Sequence, residues 1–226
     1  MLKRIEKIVT RFYKDHKDQK KLARIIRNSK NVKLHLGCGT QYKSGWINID
    51  SKGVEFAGNH ETIVDIEWDL VKSLPIYDEC VDFIFHDNFF EHLTSEQGLQ
   101  LLKDHYNSLK IGGVLRVNQP DLEKIIKGYI ENVNPDEITI KGIPYWEHYK
   151  NASYLRNRGE RINYSFRQFG QHKFLYDYES MKQRLIDAGF VEDKIKRVKA
   201  SSSSYKELCG LEYPCDQSSL IIEAIK

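Results

Sequence analysis

Apolar positions along this chain switch between two periods. Over residues 2–13, Leu2, Ile5, Ile8, Val9 and Phe12 fall on one stripe of a helical period, and Leu22, Ile25 and Ile26 repeat it more weakly over 20–27. From Val32 the period becomes two: Val32, Leu34 and Leu36 alternate with polar residues until Gly37-Cys38-Gly39 breaks the run. After a polar turn, a second apolar run from Trp46 to Ile49 ends on Asp50. Residues 51–60 are polar and read as a loop, a short strand is predicted within 61–70, and Leu-Pro-Ile follows at 74–76. Cys80 to Phe85 alternates into a buried strand that meets His86-Asp87-Asn88. A helix is then predicted from a Thr94 or Ser95 N-cap to about Leu109, ended by Lys110 to Gly113. Val114 to Val117 is a fifth strand, closing on Asn118-Gln119-Pro120-Asp121.

The second half breaks this rhythm before returning to it. Residues 129–178 hold eleven aromatics mixed with Arg156, Arg158, Arg161 and Arg167, nearly double the 12% aromatic content of the whole chain. An insertion of that composition over the sheet edge would serve as a substrate lid, since aromatic faces beside guanidinium groups suit sugars. Helical spacing resumes from Tyr178 to Ala188 and stops at Gly189, a residue type suited to a left-handed cap. Phe190-Val191 with Ile195 to Val198 predicts strand six, Ser201 to Ser204 a loop, and Ser218 to Ala224 the last strand.

Strands alternating with helices, each strand ending in ligand-type residues, predict an α/β fold with an open, mostly parallel sheet. Ligands of such sheets bind beyond the carboxyl ends of the strands, so Gly37, Asp50, Asp69, His86 and Asp121 should converge on one edge. The glycines allow a tight turn and close approach of backbone to ligand. A carboxylate at the tip of the second strand can accept both hydroxyls of a ribose. The third glycine of a dinucleotide fingerprint is missing, with Tyr42 in its place, and no phosphate-cradling G-x-x-x-x-G-K-[ST] occurs.

The stretch L-G-C-G-T at 36–40 resembles the first motif of class I S-adenosylmethionine-dependent methyltransferases. W-D-L, L-P-I, V-D-F-I, F-E-H-L, L-K-I-G-G-V-L-R-V and P-D-L continue the likeness to about residue 125, and it resumes over 161–190. It is similar in particular to small bacterial-type members that often serve surface-polysaccharide biosynthesis. The resemblance implies a Rossmann-like fold with a seven-stranded, mostly parallel sheet, helices on both faces and an aromatic lid. It implies S-adenosyl-L-methionine as cofactor, S-adenosyl-L-homocysteine as product, and a glycan or small-molecule acceptor methylated on oxygen. It further implies that Leu36, Gly37, Cys38 and Gly39 face the methionine and ribose, and that Asp50 takes the ribose hydroxyls. Asp69 would take the adenine amino group, the Leu70 backbone the ring, and the backbone near His86 and Asp87 the methionine ammonium.

Composition narrows the setting. The chain has 226 residues, 40% apolar and 30% charged, which suits one larger soluble domain. No apolar run is long enough to span a membrane. Four cysteines, Cys38, Cys80, Cys209 and Cys215, show neither paired nor zinc spacing, so a reduced, cytoplasmic protein is expected. The net charge of +3 is uneven: residues 1–30 carry eleven Lys/Arg against Glu6, Asp15 and Asp18. This divides the chain into a basic helical extension over 1–30 and a single domain over 31–226 with the insertion at about 129–178. The extension is expected to pack on the domain edge, with contact to an anionic membrane surface as the alternative.

Transfer of a methyl group to a hydroxyl needs alignment and a proton acceptor. His172 is the first candidate, His92 and Asp121 the others, and no metal ion is expected. Nucleic acid is the weaker acceptor, because residues 86–89 read H-D-N-F and lack the [DN]-P-P-[YFW] pattern of base amino methylation. A nucleic-acid methyltransferase and a non-catalytic cofactor-binding partner protein stay open as alternatives.

Overall fold

The alternating runs become strands. The computed structural model describes residues 2–51, 63–76, 79–131, 139–140, 143–144, 157–212 and 219–226. Its strands are β1 (Lys33–Leu36), β2 (Ile47–Asp50), β3 (Ile66–Glu67), β4 (Val81–Asp87), β5 (Leu109–Pro120), β6 (Thr139–Ile140), β7 (Ile143–Pro144), β8 (Ile195–Arg197) and β9 (Ser219–Ile225). The helices are α1 (Leu2–Asn28), α2 (Ser95–Ser108), α3 (Leu122–Glu131), α4 (Arg158–Arg167) and α5 (Tyr178–Ala188). Seven strands make one sheet in the order β3-β2-β1-β4-β5-β9-β8. Strands β1 to β5 pair in parallel, and β9 runs antiparallel between β5 and β8. This is the α/β, Rossmann-like, mostly parallel architecture expected from the sequence. The order reverses between β1 and β4, which makes their carboxyl ends the crevice where such sheets take ligands.

Local chemistry explains most boundaries. Thr94 caps α2 in a reciprocal pair with Gln97, satisfying two backbone donors that the helix start would otherwise orphan. Asp177 caps α5 in the same way with Ser180, and Gly189 closes it at φ +116. Two expectations are corrected. Lys110 to Gly113 does not lie outside the fifth strand, because β5 starts at Leu109. Val81 pairs with Leu109 and Phe83 with Val114, so the extra residues bulge out where Gly112 takes φ +82. Phe190 and Val191 lie outside strand six, which holds Ile195 to Arg197 alone after a 3-10 turn.

One sheet face packs on a large core containing Leu34, Leu36, Ile84, Leu115 and Leu220, closed by Leu101 and Leu102 of α2 and Leu185 of α5. Helix α1 is continuous rather than two segments, and its inner end joins this core through fully buried Leu22. Lys21 Nζ donates to the Asp65 carbonyl at 2.5 Å, and Lys72 pairs with Asp15 at 2.7 Å. The opposite face holds Trp46, Phe85, Val114 and Leu208, with Arg116 fully buried beside the segment 199–212. Arg116 pairs with Glu212 and Glu223 and donates to the Ser202 carbonyl at 3.0 Å, which ties that segment to the sheet. The apolar side chains of 2–13, the loop 52–60, and Tyr145, Trp146, Tyr149, Tyr154 and Arg156 of the expected lid lie outside the described residues.

Candidate active site

The turn after β1 is built by glycine. Gly37 takes φ +66, and a Cβ there would lie 2.3 Å from Phe89 Cγ, so the aromatic ring closes directly over the bare backbone. Gly37 N–H donates to the Ile49 carbonyl at 2.9 Å, continuing the β1–β2 pairing one residue beyond Leu36. Gly39, at φ +50, donates its N–H to Asp50 Oδ2 at 2.7 Å, while Ser51 N–H donates to Oδ1 at 2.6 Å. Turn and acid are therefore clasped together. Burial raises the Asp50 pKa, outweighing these donors, which favour the charged form. Leu36 and Cys38 are buried, and burial followed by the Asp50 charge pushes the Cys38 thiol up to about 12, leaving it inert. No helix stands between β1 and β2, so this turn presents no helix N-terminus to a phosphate.

Strand β3 brings the next candidates alongside. Trp68 N–H donates to the Asp50 carbonyl at 2.9 Å, and Asp69 and Leu70 follow at once. Asp69 Oδ1 accepts from Val71 N–H at 3.2 Å and its carbonyl from Lys72 N–H at 2.9 Å, so Asp69 heads a single turn. The Leu70 side chain is buried in the main core.

At the end of β4 the two expected residues part. The His86 ring is fully buried, stacked on Phe89 at 5.4 Å, with its Nε2 2.6 Å from His105 Nε2. Burial lowers the His86 pKa far below its ordinary value and takes His105 down to about 3, so both rings are neutral. The His86 imidazole is thus a core group, and only its backbone reaches the strand end. Asp87 accepts from Asn118 Nδ2 at 2.7 Å, and Asn118 Oδ1 is buried with no hydrogen-bond partner. Asp121 is committed elsewhere. Its Oδ1 accepts from Glu123 N–H at 3.1 Å at the start of α3, and its Oδ2 pairs with Arg197. Those partners give it a structural task at the start of α3.

His92 and His172, eighty positions apart, are brought together, their rings 5.3 Å apart. His92 ends a 3-10 turn, Phe90–His92, that follows β4 through Asn88, itself at φ +51. His172 lies on the segment leading into α5. Burial takes the His172 pKa down to about 4 and lowers that of His92. Between them lies Glu91, which sequence reasoning passed over. It is 2% exposed, and burial raises its carboxyl to about 8. An acid inside the apolar run Phe89-Phe90-Glu91-His92-Leu93 was the available signal, because burying a carboxyl group without a hydrogen-bond partner costs free energy. His92 and Asp50 are close enough for each to shift the other's ionisation.

No protein-family model matches this chain, and no curated protein matches it. Solved structures that it resembles include an S-adenosylmethionine-dependent methyltransferase from Archaeoglobus fulgidus, at 17% identity and a TM-score of 0.48 over 94% of each chain. Another, from Thermotoga maritima, has 17% identity and a TM-score of 0.47, covering 99% of this chain and 97% of that one. A third, from Mesorhizobium loti, has 15% identity and a TM-score of 0.47, covering 86% of this chain and 90% of that one. Such low identities leave the function to be read from the site itself.

Proposed function

We propose that the chain is an S-adenosylmethionine-dependent methyltransferase acting on a hydroxyl of a sugar, glycan or related small molecule. The observation that carries this reading is the Gly39–Asp50 clasp at the sheet's switch point, entered from β1 with no helix before β2. Such a rim suits a ribose and lacks the helix start that a pyrophosphate would require. The acceptor groups around it fit the rest of the cofactor. Asn118 Oδ1, at the end of β5, is a buried acceptor without a hydrogen-bond partner, to which an ammonium group could donate. When bound, S-adenosylmethionine supplies a methyl group on a sulfonium for in-line transfer.

The chain's own residues would do the remaining work. Asp50 accepts the ribose hydroxyls, the Asp69 turn faces the adenine, and Phe89 holds the glycine turn in shape. The group formed by Glu91, His92 and His172 receives the acceptor's hydroxyl. Phe169 and Phe174, 73% and 36% exposed, flank His172 and offer aromatic faces to the C–H side of a sugar. Service in glycan biosynthesis in the cytoplasm, with the basic face of α1 resting on an anionic membrane, belongs to the same proposal. Calorimetry with S-adenosylmethionine tests its centre. Asp50→Ala should lose roughly 1–3 kcal/mol, the scale for leaving buried hydroxyl donors unpaired. Unchanged affinity would reject the ribose assignment, and labelled methyl transfer to sugar nucleotides and glycan extracts would then identify the acceptor class.

A further inference from the structure

The segment after α4 is laced to the turn after β4. Lys173 and Phe174 N–H groups both donate to the Glu91 carbonyl, at 2.8 and 3.3 Å. This brings three ligand-type side chains to one point. One oxygen of Glu91 and one nitrogen each of His92 and His172 lie within 4.8 Å of one another.

Two details mark the cluster as built. His92 Nδ1 lies 3.2 Å from the Gln171 carbonyl, and His172 Nδ1 lies 2.7 Å from the Ser165 carbonyl. A carbonyl only accepts, so each Nδ1 carries the proton and each Nε2 keeps its lone pair. Metal-ligating histidines are oriented in this way, by a backbone carbonyl on the far nitrogen. Independently, Glu91 Oε2 is buried with no hydrogen-bond partner. The unsatisfied Glu91 carboxyl and the two imidazoles thus bring three potential ligand atoms to one point.

We propose that Glu91, His92 and His172 bind one divalent transition-metal cation, with Zn²⁺ the best-suited ion. Two imidazole nitrogens and one carboxylate oxygen form a three-ligand set that zinc uses where it keeps a fourth position open. Magnesium and calcium favour sets made of oxygen alone. Bonds of about 2.0–2.2 Å place tetrahedral ligand atoms roughly 3.3 Å apart, so the widest pair closes by a small side-chain shift. The open position would take a water or an acceptor hydroxyl and lower its pKa. That role rests on the methyl-transfer reading, whereas the cation site does not.

The test uses the full-length protein, stripped with a chelator and titrated with Zn²⁺ by calorimetry in the absence of nucleotide and acceptor. One equivalent should bind, and Zn²⁺ should raise Tm by mass action. Glu91→Gln and His172→Asn, each near in size to the residue replaced, should each weaken binding at least about tenfold and abolish the Tm rise. His16→Asn, on the exposed face of α1, should change neither. If Glu91→Gln fails to fold, the half-buried His172→Asn decides alone. Failure of the wild type to bind Zn²⁺ would overturn the proposal, as would equal affinity in His172→Asn, which would mean surface binding only. Either result would leave methyl transfer standing, because the Asp50 calorimetry tests that separately.

Discussion

Replacing Gly37 by alanine probes the turn on which the site is built. The new Cβ would meet Phe89 Cγ and Cδ2 at 2.3 Å and Phe89 Cβ at 2.8 Å, against an ordinary contact of 3.4–4 Å. Rotation about the ring axis relieves little, because Cγ lies on that axis and Cβ moves only with the backbone. Phe89 must shift by about 1 Å, an overpacking that costs about 1–3 kcal/mol. The backbone at φ +66 adds about 1–2 kcal/mol for a residue with a Cβ. A stiffer unfolded chain offsets roughly 0.4–1 kcal/mol. Gly37→Ala should therefore lose roughly 1.5–4 kcal/mol of stability. Urea unfolding followed by circular dichroism would measure it. The same substitution in a Phe89→Ala background should be milder by at least about 1 kcal/mol, since the ring overlap is gone and only the backbone term and the residual Cβ contact remain. Equal losses in both backgrounds, or a loss below about 0.5 kcal/mol, would refute the packing argument.

Other parts of the fold give sharper signs than magnitudes. Arg116→Met should cost about 3–5 kcal/mol in denaturant unfolding, because it leaves the carboxylates of Glu212 and Glu223 buried and uncompensated; a neutral result would mean the segment 199–212 is held by other contacts. Leu22→Ala should cost about 2–5 kcal/mol if α1 is part of the core, whereas a detached basic arm would tolerate it. His35 of β1, lowered to about 4 by burial, is joined in the interior by neutral His86 of β4 and by His105 of α2, lowered to about 3. The unfolded chain protonates these rings near pH 6.5 and the native state does not, so U binds more protons below that pH. Stability should fall as pH drops from 6.5 towards 4, by up to about 1.4 kcal/mol per unit for each ring; a flat profile over that window would contradict their burial as neutral groups.

The strands, the glycine turn and the acid at the tip of β2 were legible in the sequence because each depends on neighbours a few positions away. Alternation fixes which side of a strand is buried, glycine readily accepts the turn after Leu36, and an N-cap residue at Thr94 or Ser95 announces a helix start. What escaped was decided by contacts between distant segments. His86 read as a residue offering its backbone at a strand end, and only the fold shows its ring buried against His105 of α2. Asp121 read as a candidate base, and only the fold shows Arg197 of β8, seventy-six positions on, paired with it. Helix α1 read as an extension packed on the domain edge, and only the folded structure shows that Leu22 is the residue it buries in the core. Glu91 carried no periodic signal at all. It acquires chemical meaning only because the chain after α4 returns to hydrogen-bond its carbonyl, setting His172 beside His92. Local sequence determined the scaffold's elements through steric and hydrophobic preferences of short range. The identity of the groups that come together was settled by tertiary packing, since burial and pairing are properties of neighbours that no local pattern encodes.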